Sequence, residues 1–431
     1  MARPGRPYRG VLPWGRAPGA RLRAWAAPTI LVLMGWVVLM LSAGAGLIVS
    51  ACGCTPPSGC AGPPAAPVPD DQILASARDA LAALVRDRRV DERTTVWQVD
   101  VTVAQGRITL TGKTSSPQLK EEAVGLLRRL PGVREVADAV RGLPDPALGD
   151  RVRGVIRLPV VNLGDAPGQA EGKHTVTQAV LGMVVDVLEE ERGWYRVRMW
   201  DDYLGWVDGG SLVLGTRAEV DAFLAGKRAV VTARMAPVLA APVPGGREVY
   251  AQQAVEGTEL PCLGEERGWV RVGLPGGGQG FIAASQVRVF PGHALVFAEK
   301  KDARAVIATA HRYLGVPYLW GGTTGYGFDC SGLTQFAFRV NGWCIPRDAD
   351  MQYAAGAPVD DRGELLPGDL VFFTTYKPGP SHVGIYMGGG RFIHSGSRGV
   401  AINSLDPGDP EYSSYLSARF LGGRRIIPSP P

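Results

Sequence analysis

The fold of the C-terminal part of this 431-residue chain is decided by residues 317–340, PYLWGGTTGYGFDCSGLTQFAFRV. Its glycines do not form a phosphate-binding loop, because no Gly-Lys-Ser/Thr sequence follows them. Apolar residues with helical spacing come after Cys330, namely Leu333, Phe336, Ala337 and Val340. Asp329 is a typical N-cap residue, so the sequence predicts a helix whose first turn contains Cys330.

A cysteine at the start of a helix has a chemical consequence. A free thiol is mostly protonated at neutral pH, whereas a helix N-terminus and a neighbouring imidazolium lower its pKa. Attack on an amide needs the thiolate, a base that carries the proton to the leaving amine, and a third group that holds the base. We therefore expect a lowered pKa for the Cys330 thiol and a histidine base elsewhere in the same domain.

Two of the five histidines of the chain stand in apolar strand sequences further on, SHVGIY at 381–386 and RFIHS at 391–395. Two antiparallel strands joined by the glycine-rich turn between them would bring His382 and His394 side by side. Taken singly, a cysteine at a helix start is usually structural, and a histidine in a strand is usually a hydrogen-bonded core residue. The three residues in this order nevertheless indicate nucleophilic catalysis.

The motifs PYLWGG, DCSG, LPGDLVFF, HVGIY and FIHS follow one another within residues 298–428. In this combination the segment resembles the NlpC-type family of papain-like cysteine peptidases of the bacterial cell wall. The resemblance implies an α+β peptidase domain in which Cys330 is the nucleophile, His382 the base and then the acid, and His394 the residue that orients His382. It also implies hydrolysis of the γ-D-glutamyl–diamino acid bond of peptidoglycan or muropeptides through a thioester, with no metal or organic cofactor.

Family members with tandem SH3-like modules resemble this chain further. Their pattern implies that Tyr318, Asp329 and Ser331 recognise the free α-amine of an L-Ala-γ-D-Glu-diamino acid peptide, since a carboxylate pairs with an ammonium. In those relatives an acidic residue of the first SH3-like module also lies over the cleft. Here the corresponding stretch contains both Glu171 and His174, and the sequence leaves open which of them contacts substrate. Arg347 and Gln352 also match family positions, and we expect them to hold a loop near the cleft.

An internal repeat at a fixed offset of 75 residues precedes this domain. Residues 188–214 align without gaps to residues 263–289, and Gly193-Trp194 matches Gly268-Trp269. Short strands between glycine-rich turns predict a small β-barrel that occurs twice, at 152–215 and 226–291. The strings GWYRVR and GWV resemble bacterial SH3-like domains, and we expect Trp194 and Trp269 to fill the barrel cores.

Residues 72–143 show a helix, two strands, a second helix and a third strand. The strings GRITLTG and LPGVREV resemble the BON domain of bacterial envelope proteins, which would imply attachment rather than chemistry. The alternative is a generic small α+β spacer.

The N-terminal region has the pattern of an export signal. Residues 1–51 form an arginine-rich leader and an uncharged apolar run, which predicts a signal peptide or an uncleaved membrane anchor. The run ends in Val49-Ser50-Ala51-Cys52, which resembles a lipobox with Cys52 as the lipidated residue. Residues 52–71 are rich in proline and glycine and are typical of a linker. We expect an exported protein tethered to a membrane on its outer side.

The charge distribution excludes a nucleic-acid-binding role. Six of the 46 basic residues lie in the leader, so the remaining 40 face 41 acidic ones, without the basic face that nucleic acid requires. The six cysteines are too scattered for a disulfide scaffold or a zinc site. We predict a multidomain α+β protein that acts as a monomer. The alternatives are a non-catalytic, wall-binding lipoprotein and a thiol amidase or acyltransferase on the same scaffold.

Overall fold

The computed structural model describes residues 67–428, in which four units follow one another. The predicted signal or anchor at 1–51, the lipidation residue Cys52 and most of the linker at 52–71 lie outside the described residues. Within residues 67–428, no helix is both long enough and apolar enough to span a bilayer.

The first unit packs two helices on one face of a three-stranded sheet. Its elements are α1 (Asp70–Asp87), β1 (Trp97–Ala104), β2 (Arg107–Thr114), α2 (Pro117–Leu127) and β3 (Glu135–Gly142). Strands β1 and β2 are antiparallel, and β3 joins β2 in parallel. The hairpin turns at Gln105 and Gly106, both at positive φ, which is the backbone conformation of a tight two-residue turn. The core of this unit comes from the inner faces of the helices and the sheet.

The second unit is a seven-stranded antiparallel sheet. It consists of β4 (Arg153–Ile156), β5 (Val160–Gly164), β6 (Thr175–Val180), β7 (Val184–Glu191), β8 (Trp194–Arg198), β9 (Leu204–Asp208) and β10 (Leu212–Gly215). The strand order is β10-β4-β7-β8-β9-β5-β6. Helix α3 (Arg217–Leu224) links it to the next unit and begins with a capping box, in which Thr216 and Glu219 bond each other's backbone N–H.

The third unit repeats part of this arrangement with shorter strands. It contains β11 (Arg228–Val231), β12 (Met235–Ala236), β13 (Ala254–Val255), β14 (Glu259–Glu266), β15 (Trp269–Gly273), β16 (Gln279–Ala283) and β17 (Val287–Phe290). Five of these strands form a sheet in the order β16-β15-β14-β11-β17, and β12 pairs only with β13.

The prediction of two closed β-barrels is not confirmed, because both sheets are open in the hydrogen-bonding order of the described strands. In the third unit, prolines at 237, 242 and 244 remove backbone donors where a closing strand would run, and Leu239 makes only an isolated bridge to Phe281. The prediction for the two repeat tryptophans is wrong. Trp194 and Trp269 are half-buried, while the valines of the same strands fill the cores.

The fourth unit holds one helix against a six-stranded antiparallel sheet. Its helices are α4 (Ala303–His311), α5 (Cys330–Arg339), α6 (Ala349–Tyr353) and α7 (Ser414–Ser417). Two short strands, β18 (Thr323–Thr324) and β19 (Gly327–Phe328), precede α5. The sheet has the order β20-β25-β21-β22-β23-β24 and contains β20 (Ala357–Val359), β21 (Leu370–Phe373), β22 (His382–Gly388), β23 (Arg391–Gly396), β24 (Gly399–Ser404) and β25 (Phe420–Arg425). Leu333 and Ala337 of α5 pack on Val383 and Ile393 in one core, which fixes the start of α5 against β22.

Candidate active site

Cys330 is the first residue of α5 and lies in its buried first turn. Asp329 caps this helix by accepting a hydrogen bond from the Gly332 N–H at 2.6 Å. A side chain at Gly332 would put its Cβ 2.1 Å from the carbonyl oxygen of Gly322, so only glycine allows this approach. The Cys330 side chain is 6% exposed. The backbone N–H groups of Ser331 and of Val383, on β22, bond its sulfur, so the thiol lies beside the strand that begins with His382.

The two predicted histidines lie side by side on β22 and β23. His382 Nε2 and His394 Nδ1 are 2.7 Å apart, and the two rings are perpendicular with centroids 4.9 Å apart. His394 Nε2 is 2.9 Å from the side-chain oxygen of Asn403, on β24. Asn403 is held in turn because its side-chain NH₂ donates to the Glu411 carbonyl at 3.1 Å. The site therefore contains a hydrogen-bonded chain of three polar side chains, His382, His394 and Asn403.

Asn403 was not predicted from the sequence, although strand alternation contains the signal. His394 pairs with Ala401 across β23 and β24. Asn403 comes two residues after Ala401, so it lies on the same face of the sheet. A polar residue two positions along the neighbouring strand is thus placed to reach the imidazole.

The hydrogen bonds determine which nitrogen of each neutral imidazole carries the proton. The oxygen of Asn403 can only accept, so His394 carries its proton on Nε2 and offers Nδ1 as an acceptor. His382 must then donate its Nε2–H to His394 Nδ1. This assignment leaves Nδ1 of His382 unprotonated. That nitrogen is the base available to the thiol.

Burial dominates the electrostatics of the three central groups. It raises the pKa of the Cys330 thiol to about 12, with a further contribution from the Asp329 carboxylate, against the opposing N–H groups of Val383 and Ser331. Burial lowers the pKa of His382 to about 3 and that of His394 to about 4. The prediction of a lowered thiol pKa is therefore wrong, because desolvation outweighs the helix N-terminus. Burial thus favours the neutral form of both the thiol and the imidazole.

Asp329 and Ser331 belong to a buried network around Arg347. Arg347, which is 1% exposed, donates to Asp329 at 2.6 and 3.1 Å and to the Ser331 hydroxyl at 3.0 Å. Its Nε donates to the Thr177 hydroxyl of the second unit at 3.0 Å. The Gly321 N–H also bonds Asp329, at 3.0 Å. The carboxylate is thus held by a cation and two backbone donors, and its predicted contact with a substrate amine stays a prediction.

Gln352, the other residue expected to hold a loop, bonds the backbone on both sides of this network. Its side-chain NH₂ donates to the Pro346 carbonyl at 2.8 Å and to the Ser331 carbonyl at 3.1 Å. Gln352 itself is fully buried. It therefore ties the loop that carries Arg347 to the first turn of α5.

Tyr318 lies at the rim of a cavity of about 520 Å³ that His382, His394 and Asn403 also line. The tyrosine is 37% exposed, and burial of its ring raises the pKa of its hydroxyl. Glu171 and His174 do not line this cavity. They lie with Trp194 around a separate hollow of about 510 Å³ in the second unit, where His174 is 3.0 Å from Asp165.

The described residues contain no group of three or more histidine, cysteine or acidic side chains that could bind a metal ion. A helix-borne cysteine beside a sheet-borne histidine, which a second polar side chain orients, defines the papain-like class of cysteine peptidases.

Family models identify the units more closely. Residues 315–422 match the NlpC/P60 family, residues 70–144 the BON domain, residues 167–212 the bacterial dipeptidyl-peptidase Sh3 domain and residues 257–290 the YKFC SH3b2 domain. The C-terminal unit therefore contains an NlpC/P60 domain, preceded by two SH3-like domains and a BON domain.

Curated relatives share part of this arrangement. A gamma-D-glutamyl-L-lysine dipeptidyl-peptidase of Bacillus subtilis is 39% identical over 37% of this chain, and the match spans about half (52%) of the relative. A protein of the same name from Bacillus cereus is 29% identical over 58% of this chain and 75% of its own length. The crystal structure of an NlpC/P60 family protein from Bacillus cereus superposes with a TM-score of 0.55 at 27% identity, covering 64% of this chain and all of that one.

Proposed function

We propose that this protein is a cell-wall cysteine peptidase that hydrolyses the γ-D-glutamyl–diamino acid bond of peptidoglycan stem peptides or muropeptides. The observation that carries the proposal is the chain from His382 to His394 and Asn403, with hydrogen bonds of 2.7 and 2.9 Å, on the strand whose Val383 N–H bonds the Cys330 sulfur. The names of the two dipeptidyl-peptidase relatives support the bond that is cleaved.

The proton path follows from the tautomer of His382, in which Nε2 carries the proton and Nδ1 is free to accept one. As the Cys330 sulfur forms a bond to the carbonyl carbon, its proton passes to Nδ1 of His382. The C–N bond then breaks, and His382 returns that proton to the leaving amine, which produces the thioester. Water attacks the thioester and gives one proton back through His382 to the sulfur. His394 stabilises the transient imidazolium of His382 because its Nδ1 accepts the Nε2–H bond throughout.

The test uses purified sacculi and a free L-Ala-γ-D-Glu-diamino acid tripeptide, with products identified by mass spectrometry. We expect release of the dipeptide L-Ala-γ-D-Glu from the tripeptide, and complete loss of this release in Cys330→Ala. Cys344→Ala is the matched control, since Cys344 is an exposed free thiol. Cleavage that survives in Cys330→Ala would overturn the proposal, and products with a transferred acyl group would reveal an acyltransferase instead.

We also propose that the chain is exported, that it is held at a membrane through residues 1–51 or a lipid on Cys52, and that it acts as a monomer. The arginine-rich leader, the apolar run and the lipobox-like end support the anchor. Metabolic labelling with a radioactive fatty acid, compared with Cys52→Ser, separates a lipid anchor from an uncleaved helix. Light scattering of residues 67–431 measures the oligomeric state.

A further inference from the structure

The position of the leaving residue follows from the proposed function. His382 has to protonate the amine that departs, so the diamino acid must lie on the His382 side of the thiol. The cavity of about 520 Å³ begins at His382 and His394 and extends along β24 towards Arg398, Tyr412 and Tyr415. A diamino acid side chain placed in this cavity would extend from the two histidines towards Arg398.

The charged side chain that lines this cavity is positive. Arg398 lines it, and none of the described residues around it is an aspartate or a glutamate. Arg398 is exposed, and within residues 67–428 its guanidinium makes no ion pair and no hydrogen bond with a side chain or carbonyl. A second cation, Arg419, lies just outside, with its guanidinium 3.9 Å from the centre of the Tyr415 ring.

The backbone that carries Arg398 is fixed. Gly399 has a φ of 75°, and a Cβ there would be 2.3 Å from the Val316 carbonyl oxygen. Two backbone hydrogen bonds extend this contact. The Val400 N–H donates to the Val316 carbonyl at 2.8 Å, and the Gly315 N–H donates to the Val400 carbonyl at 2.9 Å. The turn between β23 and β24 is thus anchored to the loop that carries Tyr318, and Arg398 starts from a fixed point at the cavity wall.

We propose that Arg398 is a specificity-determining residue that selects a diamino acid whose side chain carries a carboxylate, of the diaminopimelate type, over lysine. A guanidinium binds a carboxylate with two parallel hydrogen bonds. A lysine side chain ends in the same ammonium without that carboxylate, so it brings only a positive charge towards Arg398, in a cavity without an acidic group to receive it. The proposal rests on the proposed function and names the substrate of that same site.

The experiment compares two tripeptides, L-Ala-γ-D-Glu-meso-diaminopimelate and L-Ala-γ-D-Glu-L-lysine, each with a free and with an amidated C-terminus. We expect the wild-type protein to have the higher kcat/KM for the diaminopimelate peptide. Arg398→Gln should lower that value about tenfold to hundredfold, the effect of losing one charge-assisted bidentate contact. The same variant should raise kcat/KM for the lysine peptide, because a repulsive charge is removed.

Two further variants sharpen the result. Arg398→Glu should reverse the preference in favour of lysine, since it offers the ammonium a counter-charge. Arg419→Gln is the matched control, because it makes the same change of charge beside Tyr415 but outside the cavity lining. It should leave the ratio of the two kcat/KM values as in the wild type.

The outcomes separate the inference from the proposed function. If the wild type cleaves neither peptide, the proposed function fails. Faster cleavage of the lysine peptide by the wild type overturns the inference alone. Arg398→Gln could also lower kcat/KM equally for both peptides with a free C-terminus and leave it unchanged for the amidated peptides. That result would show that Arg398 binds the α-carboxylate of the substrate, and the inference would again fail. An unaltered thermal midpoint of each variant shows that the fold is intact.

Discussion

At the scale of single residues, the site consists of groups that burial keeps uncharged. His382 and His394 are 8% and 6% exposed, and their pKa values of about 3 and 4 lie below the ordinary value near 6.5. A histidine that becomes harder to protonate on folding destabilises the folded protein at acid pH. Keeping these two histidines neutral therefore has a cost in acid stability.

The two lowered pKa values reduce the free energy of unfolding only over a defined range of pH. Above about pH 7.5 both the folded and the unfolded forms hold neutral imidazoles, and the two histidines do not affect stability. As the pH falls below 6.5, only the unfolded chain takes up protons, so the free energy of unfolding decreases until the folded pKa is reached. At pH 5 we expect a loss of about 2 kcal/mol for each histidine.

Urea unfolding at pH 7.5 and pH 5, followed by tryptophan fluorescence, measures this loss. A double variant His382→Gln, His394→Gln should show a much smaller change between the two pH values. His311→Gln is the control, because His311 is exposed at the end of α4. Parallel pH profiles for the wild type and the double variant would contradict the pKa values.

At the scale of elements, the start of α5 depends on a buried ion pair. Arg347 has a fully buried side chain and contacts Asp329, the residue that caps the helix. The pair also reaches Ser331 and Thr177, so it joins the helix to the second unit. Such a pair is costly to break, because one charge is then left buried without its partner.

Arg347→Leu should therefore lower the free energy of unfolding by about 3–5 kcal/mol. Arg391→Leu is the matched control, since Arg391 pairs with Asp409 at the surface, with half of its side chain exposed, and we expect a much smaller effect there. Calorimetry of both variants gives the comparison. A thermal midpoint of Arg347→Leu within a degree of the wild type would show that the network does not support the helix.

The elements also show how far the sequence is informative. The N-cap at Asp329 and the strands that carry His382 and His394 rest on local signals, which a sequence contains. Three other features depend on packing between segments that are distant in the chain. They are the role of Asn403, the contact of Arg347 with Thr177, and the raised pKa of the Cys330 thiol. The half-buried Trp194 was misread for the same reason: a repeat shows that two tryptophans are equivalent, but not which face of the sheet is covered.

At the scale of the whole molecule, the BON domain is attached to the other units by specific contacts. Arg93 follows α1 and donates to Asp348 and Asp350, at 2.8 and 2.9 Å, at the start of α6 in the peptidase domain. The Arg93 carbonyl also accepts from the Leu204 N–H of the second unit at 2.7 Å. No local pattern in the sequence indicates this junction, because its partners are more than 100 residues apart.

A small apolar cluster completes the same junction. Val96, Leu143, Leu188 and Leu204 are buried together between the BON domain and the first SH3-like domain. The Asp145 N–H donates to the Leu188 carbonyl at 2.7 Å across this contact. The BON domain is therefore docked on the NlpC/P60 domain and the first SH3-like domain rather than connected only by a linker, and the loop after Arg347 is part of the docking surface.

Arg93→Gln tests this arrangement. It removes the positive charge that pairs with Asp348 and Asp350, while Asp91 can still accept a hydrogen bond from the new glutamine side chain. We expect faster hydrogen exchange at the Leu204 and Asp145 amides, since both bonds cross the junction, and protection in the core of α5 as in the wild type. Arg88→Gln, which breaks only the exposed pair with Glu122 inside the BON domain, is the control. Unchanged exchange at both amides in Arg93→Gln would mean that the apolar cluster alone holds the domain, whereas faster exchange in both variants would place the weakness within the BON domain itself.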